Sequence, residues 1–267
     1  MAAPAERHAQ IGDVETFWRE APGSDVLYLH GVPTDGEDWV PFIERTGGYA
    51  PDLPGFGRSA KPSHFDYSIP GYARFLERFL DAAGVGRVSL VMHDWGGVGL
   101  ALAQASPERI EKVVLIDAVP LLAGYRWHRF ARVWRTPLAG EMLMGFTTKW
   151  AMRRLTGFTV DRAATPPGLV DRVWSHFDHG TQRAILKLYR SAPPGTLAAA
   201  GARLDRVGAP ALIVWGEHDP YLPTSFAHLY AERLGGDAHV EIVEGAGHWP
   251  WLDRPQLVDT IAGFLRP

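Results

Sequence analysis

The sequence predicts an α/β fold: a mostly parallel central sheet flanked by helices, with a helical insertion after its sixth strand. Three observations carry this expectation. Short apolar runs recur along the chain, and each ends in Gly, His, Asp or Glu where a loop should begin. Segments with helical spacing separate them, which is the arrangement of parallel strands buried on both faces. From Val119 to about Leu204 the alternation stops, and only amphipathic pieces punctuated by TPPG and APPG remain.

The elements follow in order. HAQIGDVETFWREA reads as a hairpin turning at Gly12-Asp13, which places antiparallel strands at one sheet edge. DVLYLHG (25–31), RVSLVMH (87–93), KVVLIDA (112–118), ALIVWGE (211–217) and HVEIVEG (239–245) read as buried strands. IPGYARFLERFLDAAG (69–84) has helical spacing at Tyr72, Phe75, Leu76, Phe79 and Leu80, with Pro at its start and Gly at its stop. VGLALAQASP follows the strand at 87–93 as a helix, and RPQLVDTIAGFLRP (254–267) closes the chain as another. The division expected is a core of residues 1–118 and 205–267, with a helical cap at 119–204.

Composition excludes several function classes. At 267 residues about three quarters of the unfolded surface can be buried, enough for a full core without staples. The absence of cysteine removes disulfides, thiolate metal sites and cysteine nucleophiles. A net charge of −3 with no basic block argues against nucleic acid. The opening MAAPAERHAQIGDVETF lacks the basic end and apolar stretch of a secretory signal, and no run of about 18 apolar residues suggests a membrane span. The expectation is a cytoplasmic protein, monomer or homodimer, with no membrane partner. No grouping of His, Asp and Glu has metal-ligand spacing, GFGRS lacks the strand–GxGxxG–helix form of a dinucleotide site, and no cofactor is expected.

The stretch VSLVMHDWGG carries the chemistry. A strand, then His93-Asp94-Trp95-Gly96-Gly97, then a helix is the context of a nucleophile elbow, whose strained central residue needs small neighbours. Gly96 and Gly97 meet that need, whereas Met92 is larger than usual two places before the nucleophile. Taken alone, Asp94 reads as a helix cap. Two later loops change that reading. GEHDPYLP places Asp219 after one strand, and GAGHWPWLDRP places His248 after the next. The order Asp94, Asp219, His248 is the order nucleophile, acid, histidine.

With HGVPT after one strand, DLPGFGRSAKP after the next, the elbow and the final Gly-His, the chain resembles the α/β-hydrolase family over essentially its whole length. Aspartate in the nucleophile position resembles the haloalkane dehalogenase and epoxide hydrolase group. The resemblance implies a small apolar organic substrate and water, and attack by Asp94 on a saturated carbon to give an alkyl ester. His248, oriented by Asp219, would activate water, and the backbone N–H groups of Val32 and Trp95 would hold the oxyanion. Asp117, ending KVVLID, is the alternative acid.

The leaving group divides the resemblance. HGVPT and DLPGFGRSAKP look like dehalogenases, and Trp95 would offer its indole N–H to a halide. The second halide donor expected after HG, often Asn, is replaced by Val32. Tyr189, in KLYRSA and 30 residues before Asp219, resembles the cap tyrosine of epoxide hydrolases and of fluoroacetate-type dehalogenases. Tyr125 comes too early to match a second cap tyrosine. The place of the carboxylate-binding arginine in fluoroacetate-type enzymes is taken by Trp95. A receptor that retains its triad, or an ordinary esterase, are the competing readings.

Other candidates have plain readings. His30 is expected to bond loop backbone, His93 to point away from the pocket, and His218 to lie near the surface. Among Trp127, His128, Trp134, Trp150 and Trp174, most should pack and one or two should line the pocket. The arginines at 126, 129, 132, 135, 153 and 154 suggest a solvated face of the insertion.

Overall fold

The structure, a computed structural model, describes residues 3–266. Eight strands form one sheet: β1 (Ala5–Ile11), β2 (Val14–Ala21), β3 (Val26–Leu29), β4 (Gly48–Pro51), β5 (Val88–Asp94), β6 (Ile110–Ala118), β7 (Ala211–Gly216) and β8 (Ala238–Val243). Their spatial order is β1-β2-β4-β3-β5-β6-β7-β8. Pairings from β4 through β8 are parallel, while β1 with β2 and β2 with β4 are antiparallel. Ile11 faces Val14 across the hairpin, so Gly12-Asp13 form the two-residue turn, with Gly12 at φ 62°.

The apolar runs work because the sheet is covered on both sides. Leu90 and Met92 of β5, Val113 and Leu115 of β6, and Ile213 and Trp215 of β7 enter one core. The alternate residues Val91, Val114, Ile116, Leu212 and Val214 enter the other. The first core is closed by α2 (Ile69–Ala82), α3 (Gly99–Ala105) and α10 (Ser225–Arg233), the second by α1 (Val40–Thr46) and α12 (Leu257–Leu265). Ser68 caps α2 by accepting from the Gly71 N–H at 3.2 Å.

Two expectations shift. The closing helix begins only at Leu257, because Pro255 interrupts it and leaves a short separate helix, α11 (Pro250–Asp253). β4 has four residues, GYAP, and carries no apolar run of its own, so only its pairing with β2 and β3 reveals it.

Between β6 and β7 lie six helices and, among the described residues, no strand: α4 (Arg129–Arg135), α5 (Ala139–Phe146), α6 (Lys149–Leu155), α7 (Leu169–His176), α8 (His179–Ser191) and α9 (Pro194–Ala200). Two ionic ties fasten them to the sheet layer. The Arg172 guanidinium on α7 donates to the buried carboxylates Asp35 and Asp38, and Lys61 Nζ meets Asp178 Oδ2 at 2.8 Å. Among the described residues no helix is long and apolar enough to cross a membrane.

Candidate active site

Asp94 ends β5 at φ 49° and ψ −118°, a backbone region that non-glycine residues rarely adopt and that costs about 1–3 kcal/mol. Neighbouring glycines make the turn possible. A Cβ on Gly31 would stand 2.4 Å from Asp94 Cβ, and one on Gly96 would stand 2.1 Å from the Leu29 carbonyl oxygen. Gly97, by contrast, would meet nothing closer than 3.6 Å, so the steric requirement falls on Gly31 and Gly96 rather than on the glycine pair. Met92 is tolerated because Gly99 leaves room for its sulfur, which lies 2.8 Å from where a Cβ would sit.

Three strand ends converge here. His248 Nδ1 bonds Asp219 Oδ2 at 2.7 Å, and His248 Nε2 lies 3.5 Å from Asp94 Oδ2. Asp94 Oδ1 accepts from the Val32 N–H at 2.9 Å. Asp219 is further fixed through Oδ1 by the N–H groups of Tyr221 (2.7 Å) and Leu222 (3.0 Å). Gly216 lets β7 come close to the histidine loop, since a Cβ there would lie 2.0 Å from the Gly247 carbonyl oxygen.

The charges in this group are mutually dependent. Burial opposes the carboxylate forms of Asp94 and Asp219, but His248 outweighs it and holds both below the ordinary carboxylate range. Burial likewise opposes the imidazolium of His248, yet Asp219 and Asp94 together raise it well above the ordinary histidine value.

Asp117, the alternative acid, sits at the end of β6 with φ 41°. Its Oδ1 accepts from the Gly216 N–H at 3.0 Å, and its Oδ2 meets no donor among the described residues. Complete burial, then the charge of Asp219, push its carboxyl well above the usual range. The sheet therefore places side by side two acids whose carboxyls are shifted in opposite directions, and the lowered one bonds the imidazole. Asp117, Asp219 and His248 offer ligand atoms within 4.8 Å of one another. The 2.7 Å bond between Nδ1 and Oδ2 is shorter than the roughly 3.3 Å between two ligands of a tetrahedral ion, so direct hydrogen bonding accounts for the group.

The remaining histidines have distinct places. His30 Nε2 accepts from the Leu53 N–H at 2.9 Å, which leaves Nδ1–H to donate to the Gly31 carbonyl at 2.8 Å. His93 is buried, and burial drives its pKa down to about 3. It points away from the cavity, but its Nε2 bonds the backbone carbonyl of His248 at 2.7 Å, tying the elbow to the histidine loop. His218 is exposed.

A cavity of about 160 Å³ opens above Asp94 and His248. Its wall is apolar where Leu143, Met144, Phe146, Met152, Phe177 and Ile185 face it. Polar atoms come from Tyr189, Tyr221, His128 and Trp134. Tyr189 is fully buried, and burial followed by the Asp94 charge keeps its phenol protonated and thus a donor. The His128 pKa is pushed down to about 4, mainly by burial, so its ring is neutral. His128 Nδ1 accepts from the Ala131 N–H at 3.4 Å as the cap of α4, which puts the ring proton on Nε2.

Of the insertion aromatics named from sequence, His128 and Trp134 reach the cavity. Trp127 packs, donating its indole N–H to the Ala192 carbonyl at 2.8 Å, Trp174 stacks on Phe177, and Trp150 is exposed. Tyr125 is buried against Trp127 and Phe226, away from the cavity. Trp95 is buried with its ring edge-on to Tyr189 at 5.1 Å, and does not line the cavity. Tyr221 carries no sequence signal that places it here. It stands two residues beyond Asp219, with its ring 5.1 Å from that of His248.

The α/β hydrolase fold family matches residues 26–255 of this chain. The chain belongs to the α/β-hydrolase family. A haloalkane dehalogenase of Mesorhizobium japonicum is 34% identical to this hydrolase across 98% of the chain and 92% of that protein. Epoxide hydrolase A of Mycobacterium tuberculosis is 27% identical across 99% of the chain and 98% of its own length. The crystal structure of haloalkane dehalogenase DbeA from Bradyrhizobium elkani shares the fold, with a TM-score of 0.80 and 22% identity over 98% of this hydrolase and 97% of that chain. The protein is thus a hydrolase of the haloalkane dehalogenase and epoxide hydrolase group.

Proposed function

We propose that this hydrolase breaks a carbon–halogen bond at a saturated carbon through a covalent Asp94 ester. The observation that carries this reading is the line Asp94–His248–Asp219, with spacings of 3.5 and 2.7 Å, at the floor of an apolar cavity. Asp94 Oδ1 is held by the Val32 N–H, so Oδ2 is the attacking oxygen and Oδ1 becomes the ester carbonyl. The carbon–Oδ2 bond forms as the carbon–halogen bond breaks, and halide leaves with the bonding pair.

Esterification removes the Asp94 charge. His248 then loses one of the two carboxylates that hold its proton, releases that proton more readily, and becomes the base for the second step. A water gives a proton to Nε2 and attacks the Asp94 carbonyl carbon. The oxyanion on Oδ1 stays on the Val32 N–H, joined by that of Trp95, and each such donor is worth about 3–4 kcal/mol of barrier. Collapse breaks the ester bond, and the alcohol oxygen takes the proton from the imidazolium. The helices of 119–204 act as a cap domain that shapes the cavity and keeps bulk water from the ester.

A second reading is favoured by a separate observation. Protonated Tyr189 and neighbouring Tyr221 both line the cavity, whereas Trp95 does not. A phenol that can donate its proton suits an alkoxide leaving oxygen, as in opening an epoxide to a diol.

The test is the His248→Gln variant incubated with 1-bromoalkanes and with terminal epoxides, followed by mass spectrometry of the peptide containing Asp94. An alkyl adduct is expected. Absence of any adduct with a substrate that the wild type turns over rejects the mechanism. With the wild type, halide release from the bromoalkanes without diol formation from the epoxides assigns dehalogenation, and the reverse assigns epoxide hydrolysis.

A further inference from the structure

The insertion bears a surface that the reaction does not use. Leu138, Met142 and Phe146 stand four residues apart at and along α5, hence on one face, and Trp150 follows at the start of α6, after the extended residues Thr147 and Thr148. Their exposures are 77%, 63%, 78% and 69%, the four largest among the large apolar side chains of the described residues. So many exposed large apolar side chains within thirteen residues of one segment mark an interaction site.

The charge around it is one-sided. Residues 119–204 contain thirteen Lys and Arg against four Asp and Glu, a net of +9, while the remainder of the chain carries fourteen against twenty-six, a net of −12. Most of the acidic groups in the insertion are already engaged: Glu141 with Arg190, Asp171 with Lys149, and Asp178 with Lys61. Among the described residues Arg129, Arg132, Arg135, Arg153, Arg154 and Arg162 meet no carboxylate. Arg154 instead lies over the Trp150 ring at 5.5 Å.

We propose that this face docks on an anionic lipid surface, with the apolar row entering the headgroup boundary and the arginines meeting the lipid charges. A Trp, Phe, Leu and Met stripe flanked by arginine is the composition of an interfacial helix. The opposite charge of the remaining chain orients the molecule, because the acidic body is repelled by the surface that attracts the insertion. A second copy of the same face is disfavoured, since a two-fold contact would bring two cationic surfaces together.

The cavity gives the surface a purpose. Phe146 belongs both to the exposed row and, with Leu143 and Thr147, to the cavity wall. The row therefore runs to the rim of the active-site cavity, and docking would turn that rim toward the bilayer, from which an apolar substrate partitions directly.

The experiment is flotation of the full-length protein with vesicles of phosphatidylcholine alone and of phosphatidylcholine with equimolar phosphatidylglycerol at low ionic strength. Recovery with the anionic vesicles is expected to exceed that with neutral ones by about fivefold or more, and to fall as salt is raised. Met142→Ser/Trp150→Ser and Arg132→Glu/Arg153→Glu should each remove most of the recovery while far-ultraviolet circular dichroism and melting temperature stay at wild-type values. No recovery at low salt overturns the proposal. So does recovery that the apolar double variant leaves intact, or sedimentation velocity showing a dimer that this variant dissolves and that vesicles do not displace. Flotation reads no chemistry, so its outcome is separable from that of the Asp94 ester.

Discussion

The sheet end and the helical insertion that roofs it solve opposite problems. At the sheet end Asp94 and His248 are buried and the Asp219 side chain is enclosed, short bonds to backbone N–H groups fix the acids, and two strained residues are held in place by packing. The insertion meets the same cavity with long flexible apolar side chains, leaves Leu138, Met142, Phe146 and Trp150 in solvent and, among the described residues, carries most of its cations without a carboxylate partner. The difference teaches where precision is needed. Charge transfer needs groups fixed to tenths of an ångström on rigid elements, whereas an apolar wall needs only volume and dryness.

Substitutions should expose that contrast. The largest effect is expected from Asp94→Asn, which removes the attacking oxygen's charge and should lower kcat by about four orders of magnitude or more, read by product release. His248→Gln should stop turnover at the ester stage while a single burst of leaving group remains, read by rapid-quench kinetics. Next come the paired acids. Asp219→Asn takes the charge from the imidazole and should lower kcat by about 10²–10⁴. Asp117→Asn replaces a protonated acid by a neutral side chain of the same shape and should leave kcat within about threefold. Equal losses for the two would show that Asp117 shares the charge, and the comparison between them would fail.

Stability should divide along the same line. Leu115→Ala, in the central strand and wholly buried, should cost about 2–5 kcal/mol in denaturant titration. Leu138→Ser, on the exposed row, should stay within about 0.5 kcal/mol.

The pH dependence has a definite sign. Asp94 and Asp219 are lowered from 3.8, so their contribution is complete above that value and fades as pH falls below it. His248 is raised from 6.5, so its contribution is complete below that value and fades as pH climbs through the raised one. The trio thus stabilises most between those two limits. In thermal melts His248→Gln should flatten the alkaline decline relative to wild type.

Much of the sheet end is legible in the sequence, because strands buried on both faces write themselves as apolar runs and their catalytic loops begin where the runs stop. KVVLIDA and GEHDP together hold two acids without saying which is favoured as the anion; that depends on Asp219 bonding the His248 imidazole while Asp117 is wholly buried beside the Asp219 charge. Tyr221 escaped notice because a residue two places past an acid has no periodicity to betray its direction. The bond from His93 to the His248 carbonyl spans 155 residues of chain, beyond any local pattern. Gly31 lies in HGVPT rather than in the elbow, so its steric role at Asp94 required the fold.

Arg172 carries a consequence for how such proteins diversify. Its guanidinium grips Asp35 and Asp38, only a few positions after Val32, the residue whose amide bonds Asp94 Oδ1. The roof is therefore registered against the same loop that holds the Asp94 carboxylate. A transplanted insertion with a different cavity would need a cation at this spot to seat correctly, and a graft lacking it would leave two buried anions unmatched beneath a misaligned lid.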